Sequence, residues 1–595
     1  MKKILSVFIL ILISTSSSNA FEHKNTKPKI LSLKEEEWFK ENPESLPHWM
    51  TEEEKQRIDE IGKDFMPTDP PSSPIRQPAE FEPMEGVLIR YPFGIFTSII
   101  AEMAEDVIVY CVVTSSQQSS AYTVMSNAGV NMDNVQFINC QTDSYWIRDY
   151  GPWFIFNGEN ESGIVDFIYN RPRPYDNAVP GHVGSYLGIN VYNMNLVHTG
   201  GNYMTDGQGI AISTDLVWQE NPSMTHVEID SIMNEYLGIN TYHVVPDPNN
   251  TYINHIDCWA KYLAPDEIMI REVPQSHPQY DEIESAVDYF ESQLSCYGTP
   301  YNIVRVYTPS NQPYTNSLIL NNKVFVPITG SSWDDEAIAS YQTAMPGYEV
   351  LGFTGNWVST DALHCRTMGV TDRGMLYIKH TPIEDTVYTV NDYFVQANII
   401  PYSGESVTED STLVYWKTSD EDEFNAIQMD HAGNRYFAFI PSQPDGTTIQ
   451  YYIHSADSSG RSENHPYIGA PDAHSFYVQS GVSTDTQIAT LKNVILYQNY
   501  PNPFSNFTTI SFNLATCLRQ TTARQAKSHK KAQIKIYNVK GQLVKQLKIK
   551  NLKLKINEIV WDGKDESGKQ LPNGIYFCRL SSGDKSAVKK MILLR

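Results

Sequence analysis

The strongest constraint on the fold of this chain is a change in its hydrophobic pattern near residue 380. Over residues 76–379, strand-like runs such as GVLIRYP and EDVIVYCVV alternate with helix-like runs such as YDEIESAVDYFESQLSCYG. This alternation is typical of an α/β domain. Over residues 380–478 the helix-like runs disappear, and TVYTVNDYFVQANIIP, NRYFAFIP and TTIQYYIHSAD have strand patterns separated by turns. The second stretch therefore predicts a small β-sandwich of the immunoglobulin-like type.

Both ends of the chain differ from these two domains. Residues 1–20 combine two lysines, an apolar run and small polar residues, which predicts a signal peptide cleaved after Ala20. The alternative is an uncleaved anchor, although the apolar run is short for a membrane span, and no later run predicts a transmembrane helix. Residues 21–75 are charged and proline-rich, which predicts a propeptide or an exposed N-terminal arm. Residues 485–595 are strand-rich and lysine-rich, opposite in charge to the rest of the chain, which predicts a third, β-rich region.

The composition narrows the classes of partner. A formal net charge of -24 makes nucleic acid an unsuitable partner, because its phosphates would be repelled. An acidic surface favours cationic substrates such as arginine-bearing peptides, although acidity also serves solubility.

The seven cysteines are odd in number and form no CxxC pair, so a zinc ribbon or a thioredoxin motif has no support. No cofactor is expected; the acidic loops are compatible with a structural calcium or sodium ion but contain no clean ligand motif.

Four stretches between residues 76 and 379 carry residues that could do chemistry. They are DSYWIRDYGPWF with Asp149, VHTGGNYMTDGQG with a glycine pair, YINHIDCW with His255 and Asp257, and ALHCRTMG with Cys365. Each has a plain structural interpretation: an acid beside a turn is commonly a cap, and a single cysteine is commonly a small buried hydrophobe. On a strand, however, His255 and Asp257 would point to the same face.

Taken together, these residues supply one thiol, one imidazole and two carboxylates. A papain-like protease is not indicated, because its cysteine precedes its histidine in the chain and has its own local signature. Two carboxylates instead suit a planar guanidinium, which stays positively charged and offers donors on both edges. A thiolate could then attack its central carbon.

At these motifs the chain resembles the guanidine-modifying superfamily, and within it the agmatine deiminase-like branch. WIRDYGP, TGGN, NHID and LHC occur in the family's order, with YTNSLILNNKVFVP between the last two. The resemblance covers Arg76–Lys379, and its early AEFEPMEGVLIRYPFG also resembles bacterial secreted peptidylarginine deiminases of the Porphyromonas type. It implies a five-bladed, pseudo-symmetric α/β propeller as the catalytic domain, followed by the immunoglobulin-like and C-terminal β-sandwich domains.

The resemblance also implies roles for individual residues. The implied set is Cys365 as nucleophile, His255 as general acid and base, Asp149 and Asp257 as guanidinium ligands, Asn316 as an ordering residue, and Trp146 and Tyr252 as pocket walls. Two features depart from the family pattern. Thr199 stands where the family often has glutamate, and DALHC replaces the glycine-rich approach to the cysteine seen in agmatine deiminases.

The segment RPRPYDN bears on substrate choice. Arg171 and Arg173 occupy positions where the peptidylarginine deiminases resembled here bind the α-carboxylate of a C-terminal arginine. Two guanidinium groups one residue apart can clamp a carboxylate. The alternative is a solvated basic patch beside prolines.

The C-terminal region resembles the type IX secretion sorting domain. The resemblance rests on YPNPF, IYNVKGQLV, LPNGIYFCRL and the terminal KKMILLR. It implies the type IX machinery as a partner and export through the periplasm and outer membrane to the cell surface or medium. A permanent adhesion module is the alternative.

These observations predict a secreted protein-arginine deiminase. It would convert peptidyl arginine, preferentially C-terminal arginine, to citrulline and ammonia through a thiouronium intermediate on the cysteine. The alternatives are an agmatine or small-guanidine deiminase, and a non-catalytic surface adhesin.

Overall fold

A computed structural model describes residues 46–383, 385–387 and 392–479, and in the C-terminal part 495–496, 499, 502, 504–513, 533–547, 549, 556–582 and 585–594. The chain divides into two compact units, residues 1–480 and 481–595. The predicted signal peptide and the first part of the predicted propeptide, up to residue 45, lie outside the described residues.

The first unit begins with an α/β region that ends near residue 371. Its strands are β1 (Met84–Arg90), β2 (Ile108–Val113), β3 (Val135–Asn139), β4 (Trp153–Phe156), β5 (Ser162–Tyr169), β6 (Asn190–His198), β7 (Met204–Thr205), β8 (Ile210–Thr214), β9 (Thr241–Val245), β10 (Ala260–Ala264), β11 (Glu267–Glu272), β12 (Asn302–Tyr307), β13 (Leu318–Leu320), β14 (Lys323–Ile328), β15 (Glu349–Thr354) and β16 (Met368–Thr371). Its α-helices are α1 (Glu52–Lys55), α2 (Thr97–Asp106), α3 (Gln118–Asn127), α4 (Ile147–Tyr150), α5 (Pro174–Asn177), α6 (Val179–Leu187), α7 (Leu216–Glu220), α8 (His226–Leu237), α9 (Tyr280–Glu291) and α10 (Asp334–Ala344).

The described strands of this region form five small sheets with one recurring connection. In the sheets β4-β5-β6, β7-β8-β9, β10-β11-β12 and β13-β14-β15, the first strand pairs antiparallel with the second and the second pairs parallel with the third. The fifth sheet repeats the pattern with strands from both ends of the region, in the order β16-β1-β2-β3. The parallel pairs are joined by helices, as parallel crossovers require. The mixed α/β class is thus confirmed, while the five-bladed propeller arrangement stays a prediction.

Local sequence signals account for the ends of the helices. The helix α8 begins after Thr225, whose side chain accepts a hydrogen bond from the backbone of Glu228 while the Glu228 carboxylate accepts from the backbone of Thr225. It ends at Gly238, which has φ +72°, a left-handed conformation that glycine adopts without strain. The central strands β8 and β14 are almost wholly buried, because both faces of these sheets are covered.

The predicted motifs lie on short turns between the sheets. The 3₁₀ turns of the first unit are Ile58–Glu60, Met132–Asn134, Gly200–Asn202, Ile256–Cys258, His364–Arg366, Glu409–Ser411 and Ala470–Asp472. TGGN, NHID and LHC each supply one of these turns, and WIRDYGP supplies the four-residue helix α4. Chemically active side chains therefore project from tight turns that follow or precede buried strands.

The rest of the first unit consists of two antiparallel sheets around a shared core. The strands are β17 (Leu376–His380), β18 (Thr386–Val387), β19 (Tyr393–Pro401), β20 (Leu413–Thr418), β21 (Asn425–Gln428), β22 (Asp430–Ala432), β23 (Arg435–Ile440), β24 (Thr448–Ala456), β25 (Ser462–His465) and β26 (His474–Val478). One sheet has the order β17-β19-β23-β22; the other contains β18, β26, β24, β20 and β21, with β25 also paired to β24. Among the described strands of this sandwich, only β18 and β26 pair in parallel. The immunoglobulin-like type of this sandwich stays a prediction.

The start of the sandwich differs from the predicted boundary. Residues 376–379 fall within the range predicted for the catalytic domain, but β17 pairs with β19 in the sandwich. The two regions also share polar contacts: Arg461 forms a bidentate ion pair with Asp372 at 2.7 and 2.8 Å, and the Tyr467 hydroxyl donates to Glu82 at 2.6 Å. The sequence MLYIK (residues 375–379) therefore indicates a strand correctly, but it does not indicate the sheet to which that strand belongs.

The second unit is also built from strands in its described residues. They are β27 (Ile495–Leu496), β28 (Thr508–Asn513), β29 (Gln533–Asn538), β30 (Leu543–Leu547), β31 (Ile556–Trp561), β32 (Gly574–Ser582) and β33 (Lys585–Leu593). A three-stranded sheet, β27-β28-β31, and a four-stranded sheet, β30-β29-β32-β33, contribute to one core that includes Ile510, Ile536 and Trp561. Across the described residues of the whole chain, no helix has both the length and the apolar character needed to cross a membrane.

Candidate active site

Cys365 lies on the turn His364–Arg366, directly before β16, and is fully buried. The side-chain amide of Asn316 donates to the Cys365 sulfur at 3.3 Å, and the Cys365 backbone N–H donates to Asn316 Oδ1 at 3.3 Å. The sulfur also lies 3.8 Å from Asp257 Oδ2. The structure therefore brings two of the predicted site residues, Asn316 and Asp257, to the thiol of Cys365.

His255 and Asp149 form a second pair. His255 Nδ1 lies 3.6 Å from Asp149 Oδ1, and both side chains are buried. Neither ring nitrogen of His255, nor Asp149 Oδ1, has a hydrogen-bond partner among the described residues. His255 lies just before the turn Ile256–Cys258 and not on a strand, so the expected shared face with Asp257 does not describe its geometry. Buried polar atoms without partners are costly, which indicates that a ligand or water completes this pair.

The glycine pair of TGGN is explained by this geometry. A Cβ atom on Gly201 would lie 2.6 Å from His255 Nδ1 and 2.7 Å from Asp149 Oδ1. A Cβ atom on Gly200 would lie 2.1 Å from the Arg148 carbonyl oxygen. Both positions need glycine because the side chains and backbone of the site occupy the space that any other residue would fill.

The asparagines of two motifs shape the same turns. Asn254, before His255, has φ +55°, a left-handed conformation that asparagine tolerates better than most residues. Asn202 accepts a hydrogen bond from the backbone of Thr214 at 3.0 Å and so ties the TGGN turn to the end of β8. Each motif thus combines one residue directed into the site with others that fix the backbone around it.

Asp257 is held by a buried charge network. His364 Nδ1 contacts Asp257 Oδ2 at 2.7 Å, and His364 Nε2 contacts Glu80 Oε2 at 2.7 Å. Glu80 also accepts hydrogen bonds from Arg148 at 2.7 Å and from Lys261 at 2.6 Å. Burial alone would raise the pKa of Asp257, but the hydrogen bond and charge of His364 outweigh it, so the net pKa lies below the usual value. Asp257 therefore stays ionised beside the thiol.

The thiol and the imidazole of the site are neutral near pH 7, whereas Asp149 is mostly ionised there. Burial, together with the charges of Asp257, Asp361 and Asp149, raises the pKa of Cys365 well above its ordinary value. Burial also lowers the pKa of His255 to about 4 and raises that of Asp149 to about 6. The thiol and imidazole are consequently both uncharged until a cation enters.

His48, from the N-terminal segment, lies between the two groups of site residues. Its Nε2 lies 2.6 Å from Asp149 Oδ2, and its ring meets that of His255 edge-on with centroids 5.7 Å apart. Ligating atoms of His48, Asp361 and Cys365 all lie within 4.8 Å of one another. The part of the segment around His48 is therefore buried in the site, which differs from an exposed arm.

Two groups of side chains in the described residues have donor atoms close enough to hold a metal ion. They are His48, Asp149 and His255, and His48, Asp361 and Cys365. Both include nitrogen, and one includes sulfur, so neither is the all-oxygen set that calcium prefers. The direct 2.6 Å contact between His48 and Asp149 leaves no space for an ion between those two groups. The predicted calcium or sodium ion stays a prediction.

Comparison with known proteins identifies the region that contains these residues. Residues 76–370 match the family described as Porphyromonas-type peptidyl-arginine deiminase. The chain carries a Porphyromonas-type peptidyl-arginine deiminase domain. Guanidine deiminase chemistry, which acts on a C–N bond, is the activity class of this family and of the agmatine deiminases related to it.

Individual relatives of the deiminase domain are distant. An agmatine deiminase of Ectopseudomonas mendocina is 25% identical over 318 residues, which cover 46% of this chain and 85% of the relative. One of Pseudomonas savastanoi is 24% identical over 296 residues, 42% of this chain and 80% of the relative. Among solved structures, an agmatine deiminase of Enterococcus faecalis has 21% identity and a TM-score of 0.46, covering 50% of this chain and 95% of its own.

Arg171 and Arg173 of the deiminase domain are buried, so they are not a solvated basic patch. Arg173 Nε donates to Glu54 Oε1 at 2.7 Å, and Arg173 Nη2 lies 3.3 Å from Glu54 Oε2. Arg171 Nη2 donates to the carbonyl oxygen of His48 at 3.4 Å. Arg171 Nε and Arg173 Nη1 have no partner among the described residues. Both guanidinium groups thus face the N-terminal segment and retain capacity to bind an anion.

The predicted pocket walls lie where aromatic side chains surround the same segment. Trp146 is fully buried and stacks on the His48 ring, with centroids 4.7 Å apart and an angle of 5° between the planes. Tyr252 meets the Trp49 ring edge-on, with centroids 5.6 Å apart. Each of the nine predicted site residues of the deiminase domain therefore contacts residues 47–54 or another predicted site residue.

Several residues of the site are not predicted from the sequence. Asp361 forms a bidentate ion pair with Arg366 at 2.8 and 2.6 Å, beside Cys365. Glu80 lies in the early stretch AEFEPMEGVLIRYPFG, but nothing in that stretch assigns this glutamate to the site. His364 is adjacent to Cys365 in LHC, which was the one available signal. His48 lies in a charged stretch with no periodicity that could indicate a buried position.

The C-terminal region determines where the protein is transported. Residues 498–594 match the family described as a secretion system C-terminal sorting domain. This confirms the predicted type IX sorting domain, which implies the secretion machinery as a partner. The protein is therefore exported across the outer membrane.

Proposed function

We propose that this chain is a secreted protein-arginine deiminase that converts peptidyl arginine, preferentially C-terminal arginine, to citrulline and ammonia. The observation that supports it most directly is the flat space between Asp149 and Cys365. That space is walled by Trp146, contacted by His255, and filled by the planar ring of His48. A guanidinium group is planar, cationic and rich in donors, and it suits a space bounded by carboxylates and an aromatic face.

In the first half of the reaction, Asp149 and Asp257 hold the guanidinium so that its central carbon faces the Cys365 sulfur. The sulfur attacks this carbon and forms a C–S bond. His255, which takes up the thiol proton as the cation binds, passes that proton to one amino nitrogen, whose C–N bond breaks as ammonia leaves. The product of this half is an S-alkylthiouronium group on Cys365.

In the second half, water replaces ammonia. His255 takes a proton from the water, whose oxygen bonds to the thiouronium carbon. The C–S bond then breaks and its electron pair returns to the sulfur as a thiolate. The proton that remains on the oxygen passes to solvent, and citrulline leaves. The side-chain amide of Asn316, which donates to the sulfur at 3.3 Å, stabilises the negative charge at both stages.

Substrate binding itself activates the thiol in this mechanism. Three carboxylates raise the pKa of Cys365 together with burial, and a neutral His255 supplies no compensating charge. A bound guanidinium adds a positive charge between Asp149, Asp257 and the sulfur, which lowers the pKa of the thiol. The thiolate then forms where and when the cation is bound.

Two rival functions are separated by the choice of substrate. Agmatine has no carboxylate, so an agmatine deiminase has no use for the buried Arg171 and Arg173 beside its pocket. A non-catalytic adhesin has no use for unpartnered polar atoms on His255 and Asp149. The decisive experiment uses chain cleaved before Arg76, because His48 contacts Asp149 in the intact protein. It incubates this chain with a peptide ending in arginine, its amidated form, and agmatine, and follows ammonia release and the small mass gain of citrulline. Preferential turnover of the free-acid peptide supports the proposal, and preferential turnover of agmatine contradicts it.

The carboxylate clamp makes a prediction about Arg173. In chain cleaved before Arg76, where Glu54 no longer occupies Arg173, Arg173→Ala should lower kcat/KM for the peptide ending in arginine by roughly 10–100-fold, because a charge-assisted contact contributes about 1.5–3 kcal/mol. The amidated peptide should lose much less. Arg305→Ala, which removes an arginine paired with Glu284 outside the site, is the matched control. Equal losses on the two peptides would contradict the clamp.

The ionisation of Asp149 predicts an acid limb in the pH profile. Burial raises the pKa of Asp149 to about 6, so the carboxyl is increasingly protonated below that pH and loses its attraction for a guanidinium. We expect kcat/KM to rise about tenfold per pH unit below about 6 and to level off above about 7. The measurement uses chain cleaved before Arg76, because His48 contacts Asp149, with circular dichroism to exclude unfolding. A flat profile down to pH 4.5 contradicts this role.

The architecture proposed for this function is a catalytic domain followed by two accessory β-sandwiches. The five sheets, four of three strands and one of four, are proposed to be the blades of a five-bladed propeller, and the sandwich of residues 376–478 to be immunoglobulin-like. The chemistry above needs no cofactor, because the protein supplies every proton donor, acceptor and nucleophile that it uses.

A further inference from the structure

The residues that fill the candidate active site come from the protein's own N-terminal segment. We call residues 46–54 the N-terminal plug. His48 is 1% exposed and Glu54 is 5% exposed, although the following residues 55–60 are all exposed. Burial within an otherwise exposed and charged stretch indicates a specific contact and not general collapse.

The plug matches the two ends of a C-terminal arginine. At one end, the flat His48 ring stacks on Trp146 and contacts Asp149 at 2.6 Å, as a guanidinium would. At the other end, the Glu54 carboxylate contacts Arg173 at 2.7 and 3.3 Å, as a substrate α-carboxylate would. The backbone between them adds the carbonyl of Pro47, which accepts from Arg173 Nη2 at 2.7 Å.

We propose that the N-terminal plug is a pseudosubstrate that keeps the deiminase latent until it is removed. The proposal rests on the function proposed above and adds its regulation. A tethered occupant acts at a high effective concentration, so it excludes peptides even when each of its contacts is weak. While it is bound, no guanidinium reaches Asp149 and no cation is available to activate Cys365.

The fit of His48 is weaker than that of a real substrate. Its two ring nitrogens both face acceptors, Asp149 Oδ2 at 2.6 Å and the carbonyl of Thr360 at 3.1 Å. Burial lowers the pKa of His48 to about 3, so the ring carries only one proton and leaves one acceptor without a donor. A guanidinium has N–H donors on each of its nitrogens, so it satisfies both of these acceptors. The plug is therefore suited to leave once residues 55–75, which join it to the deiminase domain, are cut. We call residues 55–75 the tether.

The tether offers sites for its removal. Lys55, Arg57 and Lys63 are exposed and lie between the plug and the start of the deiminase domain at Arg76. A cavity of about 1010 Å³ lies between residues 60–66 of this tether and the domain, so the tether packs loosely there. The expected partner is an endopeptidase that cleaves after basic residues.

The test compares intact protein with protein nicked by trypsin in the tether, with the cut verified by mass. Three measurements are made: the rate at which a haloacetamidine labels Cys365, ammonia release from a peptide ending in arginine, and calorimetric affinity of Cys365→Ser protein for that peptide. We expect nicking to raise all three by roughly tenfold or more. Protein carrying Lys55→Gln, Arg57→Gln and Lys63→Gln should stay latent under the same treatment.

Point variants test the two anchors separately. His48→Ala and Glu54→Gln should each raise labelling and turnover of intact protein several-fold. Glu54→Gln keeps the capping interaction with Thr51, since glutamine also serves there, and removes only the charge. Glu52→Gln is the matched control, because Glu52 pairs only with Lys55 on the surface, and it should change nothing.

The outcomes distinguish this inference from the proposed function. Equal labelling, turnover and peptide affinity before and after nicking overturn the plug. A nicked protein that binds the peptide more tightly but releases no ammonia supports the plug and contradicts the deiminase. If nicking raises all three, both are supported.

Discussion

Replacing Cys365 with serine is expected to reduce citrulline formation by a factor on the order of 10⁵ or more. A serine hydroxyl in the same position contacts Asn316 and Asp257 as the thiol does, but it does not ionise at accessible pH, so the attack on the guanidinium carbon stops. Binding should survive, because Asp149, Asp257 and Trp146 are unchanged. The measurement is ammonia release after tether cleavage, beside calorimetry with the peptide ending in arginine.

The matched control for this variant is Cys296→Ser. Cys296 is partly buried and contacts the carbonyl of Pro265 at 4.0 Å, outside the site. This variant should retain activity and haloacetamidine labelling, whereas Cys365→Ser loses both. Activity that persists in Cys365→Ser would show that another group is the nucleophile, and the proposed mechanism would then fail even if the fold is correct.

The second large effect is expected from adding a single methyl group at residue 201. In Gly201→Ala the new Cβ would lie 2.6 Å from His255 Nδ1 and 2.7 Å from Asp149 Oδ1, distances that real Cβ contacts do not tolerate. One of these two side chains must move, and a displacement near 1 Å costs roughly 10²-fold or more in rate. Gly201 does not have a positive φ, so backbone strain does not contribute. The effect should appear in kcat/KM, with little change in thermal stability.

Gly181→Ala is the control for the added methyl group. Gly181 lies in the helix α6, and a Cβ atom there would have no neighbour within 4 Å. Alanine favours the helix, so stability should rise slightly and activity should not change. Normal activity in Gly201→Ala would mean that Asp149 and His255 need not approach each other closely, which would remove the main support for their joint role.

The sequence predicted the architecture well where the pattern is local. The alternation of strand and helix signals identified the α/β region, and the loss of helix signals identified the sandwich. The motif residues could be grouped because a thiol, an imidazole and two carboxylates share one plausible chemistry. Periodicity could not show that His255 precedes a 3₁₀ turn, since such turns depend on contacts such as that between Asn202 and Thr214.

Residues that act through distant contacts were not predictable. Glu80 orders His364, and through it Asp257, from a position separated from both by more than half of the deiminase domain. The sequence places His48 and Glu54 in a propeptide or exposed arm, because their neighbours are charged and prolines punctuate the segment. Their burial depends on the shape of a pocket that only the folded chain creates. The boundary between the deiminase domain and the sandwich, near residue 376, is not predicted for the same reason. The sequence of a strand does not specify the strand with which it pairs.

The sheet that joins β16 to β1 has a consequence for the timing of activity. Cys365 directly precedes β16, so its sulfur reaches Asn316 and Asp257 only after the two ends of the domain have paired. Contacts between distant segments form more slowly than hairpins, because closing a long loop costs chain entropy. A chain still being synthesised, or caught partly folded, consequently has no assembled nucleophile. For the deiminase activity proposed above, this order of assembly ties the first turnover to completion of the domain.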